Sequence, residues 1–524
     1  MSNEPQIFNT RSRTGNVLMS SSAGTVAYLL SSVMGFVYRT VFVAILSASY
    51  LGINGLFSNI LMLLSLSELG VGAAITYRFY KPIAENDVKK VGELMGFFKD
   101  VYRLVALAIL VVGMSLFPFL NDLIKDPGNI PPDVNLRNVY VLFLLQSVIS
   151  YVCVYRMSMW TADQKRYVCS ILFAIVDASR FGIQMLVLWL TRDFTLTIVA
   201  SIAVTLVSNI SLSYWTTCRY RPVFQVCSRL SLSERKLILK DALALMCHRV
   251  GGVVVNGTDA LVLARFVNLA ATGLYSNYQL LFKTLSATFA QAFGGFAASF
   301  GNAYARLSPD EYFAVFRRMQ FLSLGASGLA AACFYFLVDE FIVLWLGPDM
   351  LLPRMTAALM AVQFYLTSSQ SNVTANLDAT GLFVRDRLRS LVEAAINLGV
   401  SIPLAVCYGV PGVVAGTVIG ILLTSFWRAP YILFSGAMHR RVWSYWAQFS
   451  AHAVFALLVT AGAKSCCPEF EASGAVGWLL WVVRACCFAA AYLVMFVLVF
   501  SRTSEFRYFV SRGKAFFLRK MKGV

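Results

Sequence analysis

A few ionisable residues of this chain sit where charge is expensive. Arg39, Glu68, Asp177, Arg180, Asp259, Arg265, Lys283, Glu393 and Arg484 each fall inside a long apolar stretch. An ionised side chain near the middle of a bilayer costs roughly 2.5–3.5 kcal/mol on insertion scales, so each should face protein or water. Arg39 and Lys283 could bind an anionic group there, with Arg249 at the cytoplasmic mouth. A guanidinium suits phosphate because it offers paired donors in a fixed fork. Glu68 and Asp259 would balance that positive charge in an empty cavity, or carry a coupling H⁺ or Na⁺. The competing reading makes all of them structural interhelical ion pairs. Asp177 and Arg180 are three apart on one helix and should pair locally. Arg265 and Arg484 should snorkel towards a headgroup.

Other chemistry has little to work with. The chain has 11 Cys without ligand spacing and 3 His (His248, His439 and His452) far apart in sequence. Neither a metal nor a cofactor is expected. The loops on the outer side are short and lack His, which leaves no catalytic residue to name.

The elements that must hold these charges are membrane helices. Hydrophobic residues make up 58% of the chain and charged residues 13%, against about 25% charged in soluble domains. Apolar runs such as Val101–Leu120 and Ile171–Leu190 recur along the sequence. A run of about 20 apolar residues crosses a hydrocarbon core about 30 Å thick, and in lipid it must be helical to satisfy its own backbone. The expected fold is therefore an all-α polytopic membrane protein of about 14 transmembrane helices. The N-terminal apolar run is too long for the h-region of a removable signal peptide.

The net charge of +18 first suggests nucleic acid, but its distribution argues otherwise. Roughly 34 of the 44 Lys and Arg fall in the two ends and alternate loops, the positive-inside pattern. Both termini are expected in the cytoplasm, and no nucleic-acid partner is expected. The basic excess meets membrane lipid headgroups instead. Two cytoplasmic stretches could be amphipathic surface helices. One is KPIAENDVKKVGELMGFFKD, with Pro82 near its start. The other is RLSLSERKLILKD, where Ser231 precedes Glu234 as a cap.

A repeated phrase organises the chain. GLFSN (Gly55–Asn59) and GLYSN (Gly273–Asn277) both occur where an outer loop enters the second helix of a set. Six spans separate them, so both halves point the same way across the membrane. That is a parallel repeat about an axis along the membrane normal, as in some alternating-access transporters. The expected division is an N-terminal lobe of spans 1–6 (residues 1–225), a C-terminal lobe of spans 7–12 (226–446), and two extra spans with a basic tail (447–524). These are two pseudo-symmetric six-helix lobes plus two C-terminal helices. Spans 1, 2, 7 and 8 hold Arg39, Glu68, Asp259, Arg265 and Lys283. Lys283 lies ten residues beyond Gly273, so about 15 Å deep at 1.5 Å per residue.

The stretch YRTVFVAILSASYLGINGLFSNILMLLSLSELGVGAAITYRFYKPIAENDVKKVGELMGFFKDVYR resembles the N-terminal signature of Wzx-type polysaccharide flippases. These belong to the multidrug, oligosaccharidyl-lipid and polysaccharide exporter superfamily. TDALVLARFVNLAATGLYSNYQLL and FWRAPYILF resemble the same family at matching places. The resemblance is sharp over Tyr38–Arg103 and Thr258–Leu281. It implies a flippase of the bacterial inner membrane that moves undecaprenyl-diphosphate-linked oligosaccharide to the outer leaflet for polysaccharide synthesis. It also implies a central cavity lined by spans 1, 2, 7 and 8, with Arg39 and Lys283 in the positions of the family's basic residues. A polysaccharide polymerase is the candidate protein partner. The alternatives are a cation-coupled multidrug antiporter of the same superfamily and a membrane glycan polymerase or transferase.

Overall fold

The computed structural model describes residues 13–65, 71–125, 130–294, 297–386, 388–466 and 474–521. Among these all regular structure is helical, as an all-α multi-pass membrane protein must be. Among the described residues ten helical stretches are long and apolar enough to cross a membrane. A shorter apolar helix, Ala48–Leu64, stands beside them. The helices divide into two compact units, Met1–Ser276 and Asn277–Val524.

In the first unit, α1 (Arg13–Ile45) is followed by α2 (Ala48–Leu64) and, past residues 66–70, by α3 (Val71–Ala84). Then come α4 (Val88–Leu116), α5 (Leu136–Val154), the single turn α6 (Ser158–Ala162), α7 (Arg166–Thr191) and α8 (Phe194–Arg219). A short α9 (Arg221–Phe224) leads into α10 (Leu232–Val262), a π-turn at Leu263–Val267, and α11 (Leu269–Gly294). α1 lies along α7, while α10 packs against α2 and α3. This packing puts α10 and the first turns of α11 in the first unit.

Neither amphipathic stretch is a separate surface helix. Pro82 lies near the end of α3, not at a helix start. The chain reverses at Asn86 (φ 54°), and Asp87 accepts from the Lys90 N–H at 2.9 Å to start α4. The face carrying Val91, Leu94, Met95 and Phe98 is buried as the first turns of that crossing helix. Ser231 does cap its helix, accepting from the Glu234 N–H, but α10 then runs on for 31 residues. Lys90 and Glu234 join the two helix starts at 2.7 Å. In both cases local amphipathicity reported one buried side of a longer helix.

The turn between α6 and α7 holds a buried ion pair. Lys165 Nζ lies 2.6 Å from Asp163 Oδ2, to which the Tyr220 hydroxyl also donates at 2.8 Å. All three residues are buried. Burial first, then the Asp163 carboxylate, raises the Tyr220 pKa, so its hydroxyl stays protonated and keeps donating. Removing one member of a buried pair strands the other charge, which costs about 3–5 kcal/mol. Asp163→Ala is therefore expected to lower the melting temperature in detergent sharply. The double change Asp163→Leu with Lys165→Met should recover most of the loss, because no charge is then stranded.

The second unit continues α11 and adds α12 (Ala297–Arg306), α13 (Pro309–Leu346), α14 (Arg354–Ser369) and α15 (Ser371–Thr380). It closes with α16 (Arg389–Tyr408), α17 (Val410–Leu423), α18 (Ser425–Leu433), α19 (Trp443–Cys466), α20 (Gly474–Phe500) and α21 (Ser504–Met521). Its element order repeats that of the first unit. α11–α12–α13 follows α2–α3–α4, each with a short second helix and a side-chain cap before the third. The left-handed turn residue Gln164 after α6 has its match in Gly381 after α15. α13 is the central post, in contact with α14, α19, α20 and α21. Arg317 pairs with Glu505, and Arg318 lies 3.7 Å from the centre of the Tyr508 ring. These contacts pin α21 to the start of α13.

Candidate functional site

The repeated phrase lies inside helices, not at their starts. α2 begins at Ala48, and its phrase occupies the third and fourth turns. α11 begins at Leu269, where Asn268 accepts from the Ala271 N–H. Asn59 of one copy and Ser276 of the other bond within their own helices. Asn59 donates to Gly55 O at 2.7 Å, and Ser276 donates to Gly273 O at 2.7 Å.

The two copies of the phrase touch each other. A Cβ on Gly52 would stand 2.1 Å from Leu269 O, and one on Gly273 would stand 2.1 Å from Ala48 O. No side chain fits at either place without the helices moving apart. One turn further along, a Cβ on Gly55 would stand 3.8 Å from Ser276 Cβ. Small residues three and four apart let membrane helices approach to backbone contact, where dispersion and weak hydrogen bonds hold them. The sequence signal for this crossing was the phrase itself, with Gly52 three residues ahead of Gly55.

Two of the intramembrane charges are fastened to this crossing. Arg39 of α1 donates from Nη1 to Ser276 Oγ at 2.9 Å and is half-buried. A guanidinium carries five N–H donors, and Ser276 takes up one. Among the described residues no ion pair involves Arg39. Asp259 of α10 is buried and accepts from the Tyr275 hydroxyl at 2.9 Å. Adjacent residues of α11, Tyr275 and Ser276, thus hold a carboxylate and a guanidinium. Both lie in the repeated phrase, but their role as partners of charged groups left no mark in the sequence, because a neutral hydroxyl carries no charge signal.

The other candidates are placed less fully. Lys283 lies on α11 in the second unit and is exposed. Arg249 lies within α10. Glu68 falls outside the described residues. Asp177 and Arg180 pair at 2.9 Å, as their spacing predicts, and Ser31 of α1 donates to Asp177 at 3.1 Å. Arg484 does not snorkel. It meets Glu340 at 3.2 Å and lies 4.7 Å from the Phe336 ring centre. Glu340 comes from a different helix, α13, a partner that sequence distance concealed. Glu393 joins Arg389 and Ser425. Among the described residues no group of His, Cys, Asp and Glu is arranged to hold a metal.

No protein-family model matches the chain, and no curated protein matches it. Solved structures do share its fold. A structure described as lipid II flippase MurJ in an inward closed conformation superposes with a TM-score of 0.68 at 12% identity, covering 91% of this chain and 98% of the other. An inward-facing multidrug resistance MATE family transporter of the MOP superfamily gives 0.58 at 13% identity, covering 83% and 98%. A MATE protein in complex with MaD3S gives 0.51 at 10% identity, covering 82% and 98%. The fold is thus one found in a lipid II flippase and in multidrug transporters, and the likeness of fold covers 82–91% of the chain.

Proposed function

We propose that this chain is a flippase for undecaprenyl-diphosphate-linked oligosaccharide. It would carry its substrate from the inner to the outer leaflet of the bacterial cytoplasmic membrane, for cell-surface polysaccharide synthesis. The observation that carries the reading is Arg39, a cation at bilayer depth whose described partner is the neutral Ser276. A charge kept there without a carboxylate needs an anionic visitor to justify its cost. A diphosphate offers the oxygens that a guanidinium recognises. Lys283 and Arg249 supply further positive charge along the path, while Glu68 and Asp259 balance it or carry a coupling H⁺ or Na⁺. The prenyl tail stays in lipid. The working division is two lobes, 1–225 and 226–446, with 447–524 as the C-terminal addition. Both termini are cytoplasmic, and a polysaccharide polymerase is the protein partner.

The second reading is a cation-coupled multidrug antiporter. The buried carboxylate of Asp259, bonded to Tyr275, favours it, because cationic drugs prefer an acidic site. Proteoliposomes separate the two. Purified protein is expected to move a defined lipid-linked oligosaccharide between leaflets and to leave cationic dyes where they are. Dye efflux without movement of the lipid-linked sugar would overturn the proposal in favour of the antiporter.

A further inference from the structure

The second unit contains a groove that the transport reading does not use. α14 and α19 both pack on α13, and a cavity of about 460 Å³ remains among the three helices. Alanines from all three helices line it, among them Ala331, Ala358 and Ala461, beside the rings of Tyr335, Tyr365 and Phe449. Along α19 the lining runs from Phe449 to Lys464, roughly 22 Å at 1.5 Å per residue. Val362 and Leu457 form an exposed rim, so the groove opens sideways. Around a membrane helix that side is hydrocarbon. One end differs from the rest. There the Lys464 ammonium stands 5.4 Å from the centre of the Tyr335 ring, a cation–π distance that orients it at the mouth.

We propose that this groove holds one acyl chain of a phosphoglyceride, with its phosphodiester at Lys464. Length, wall chemistry and charge all fit. One leaflet contributes about half of a 30 Å hydrocarbon core, so a groove of this length takes a whole chain. The alanines offer an alkyl chain dispersion contact, and the Tyr365 and Thr460 hydroxyls in the wall already donate to the Phe449 and Ala456 carbonyls. Lys464 lies at the end of α19 that the positive-inside pattern assigns to the outer side, among few Lys and Arg. A single ammonium matches the single negative charge of a phosphodiester. A prenyl diphosphate would bring more charge than one lysine meets. The lipid fills the wedge between α14 and α19 and fastens both to α13. This inference stands apart from the transport reading, since it concerns a bulk lipid and not the cargo.

The test uses the full-length protein in nanodiscs containing phosphatidylglycerol with a diazirine on one acyl chain. After irradiation, label is expected on the α13, α14 and α19 peptides that carry Ala331, Ala358 and Ala461. It should exceed the label on α20, whose exposed Leu498 reports ordinary lipid contact. Lys464→Glu should lower groove labelling by roughly tenfold, as loss of a charge-assisted contact would. Ala461→Trp should abolish it by filling the groove, with α20 labelling unchanged. The proposal is overturned if wild-type groove labelling is no stronger than that of α20, or if neither substitution reduces it. Displacement of the label by a prenyl diphosphate would also overturn it, assigning the groove to the cargo's tail. The wild-type map and Lys464→Glu decide the matter even where Ala461→Trp does not fold.

Discussion

Oxidation of a Gly55→Cys, Ser276→Cys pair, with the native cysteines replaced, is expected to stop transport. Dithiothreitol is expected to restore it. The Cβ positions at these two sites lie 3.8 Å apart, the mean separation for a disulfide. The bond should therefore form quickly and without strain. It would tie α2 to the start of α11 where Gly52 and Gly273 already hold the helices in backbone contact. On the topology expected from the charges this crossing lies near the outer surface. A carrier built from a parallel repeat must part such a crossing to release cargo outward. A covalent tie there leaves substrate able to enter from inside and unable to leave. Flipping of a fluorescent lipid-linked oligosaccharide in proteoliposomes, read before and after reduction, measures the effect. Each single cysteine variant serves as its own control for the loss of the Ser276 hydroxyl. Undiminished transport by the fully cross-linked protein would refute a moving seal at this place.

Arg39→Ala is expected to lower the flipping rate by roughly 10- to 100-fold. A hydrogen bond to a charged group contributes about 1.5–3 kcal/mol, and each 1.4 kcal/mol is a factor of ten. Arg39→Lys should fall between, because lysine keeps the charge and loses the paired donors. Lys283→Ala should impair transport as well, because it removes a second positive charge of the proposed path. Arg39 also donates to Ser276, so a purely structural role needs excluding. Ser276→Ala removes that hydrogen bond and leaves the cation. If Arg39 acted only by bracing α11, Ser276→Ala would match Arg39→Ala in rate and in melting temperature. The binding role predicts a mild Ser276→Ala beside a severe Arg39→Ala. Full activity in both Arg39→Ala and Lys283→Ala would remove these residues from the site.

Much of the scaffold was legible in one dimension. Apolar run length reports crossing helices because lipid leaves the backbone no other partner. GLFSN and GLYSN drew attention to two helix segments that come within packing distance of each other. Asp177 and Arg180 were readable as a pair because an α-helix brings residues three apart together. Amphipathic stretches were less informative. The apolar face of Val91–Phe98 suits a surface helix or the buried side of a crossing helix equally well, and periodicity does not say where the helix stops.

What the sequence determined by itself was therefore local and periodic: the helical class, the membrane environment and the Asp177–Arg180 pair. What only the tertiary structure decided was who meets whom across helices. It joined Arg484 to Glu340, and it gave Arg39 and Asp259 to hydroxyls on successive residues of α11. It also turned the repeated phrase from a pair of helix starts into a glycine crossing. These are contacts between residues far apart in the chain, set by how helix surfaces interlock. No spacing along the sequence encodes that geometry.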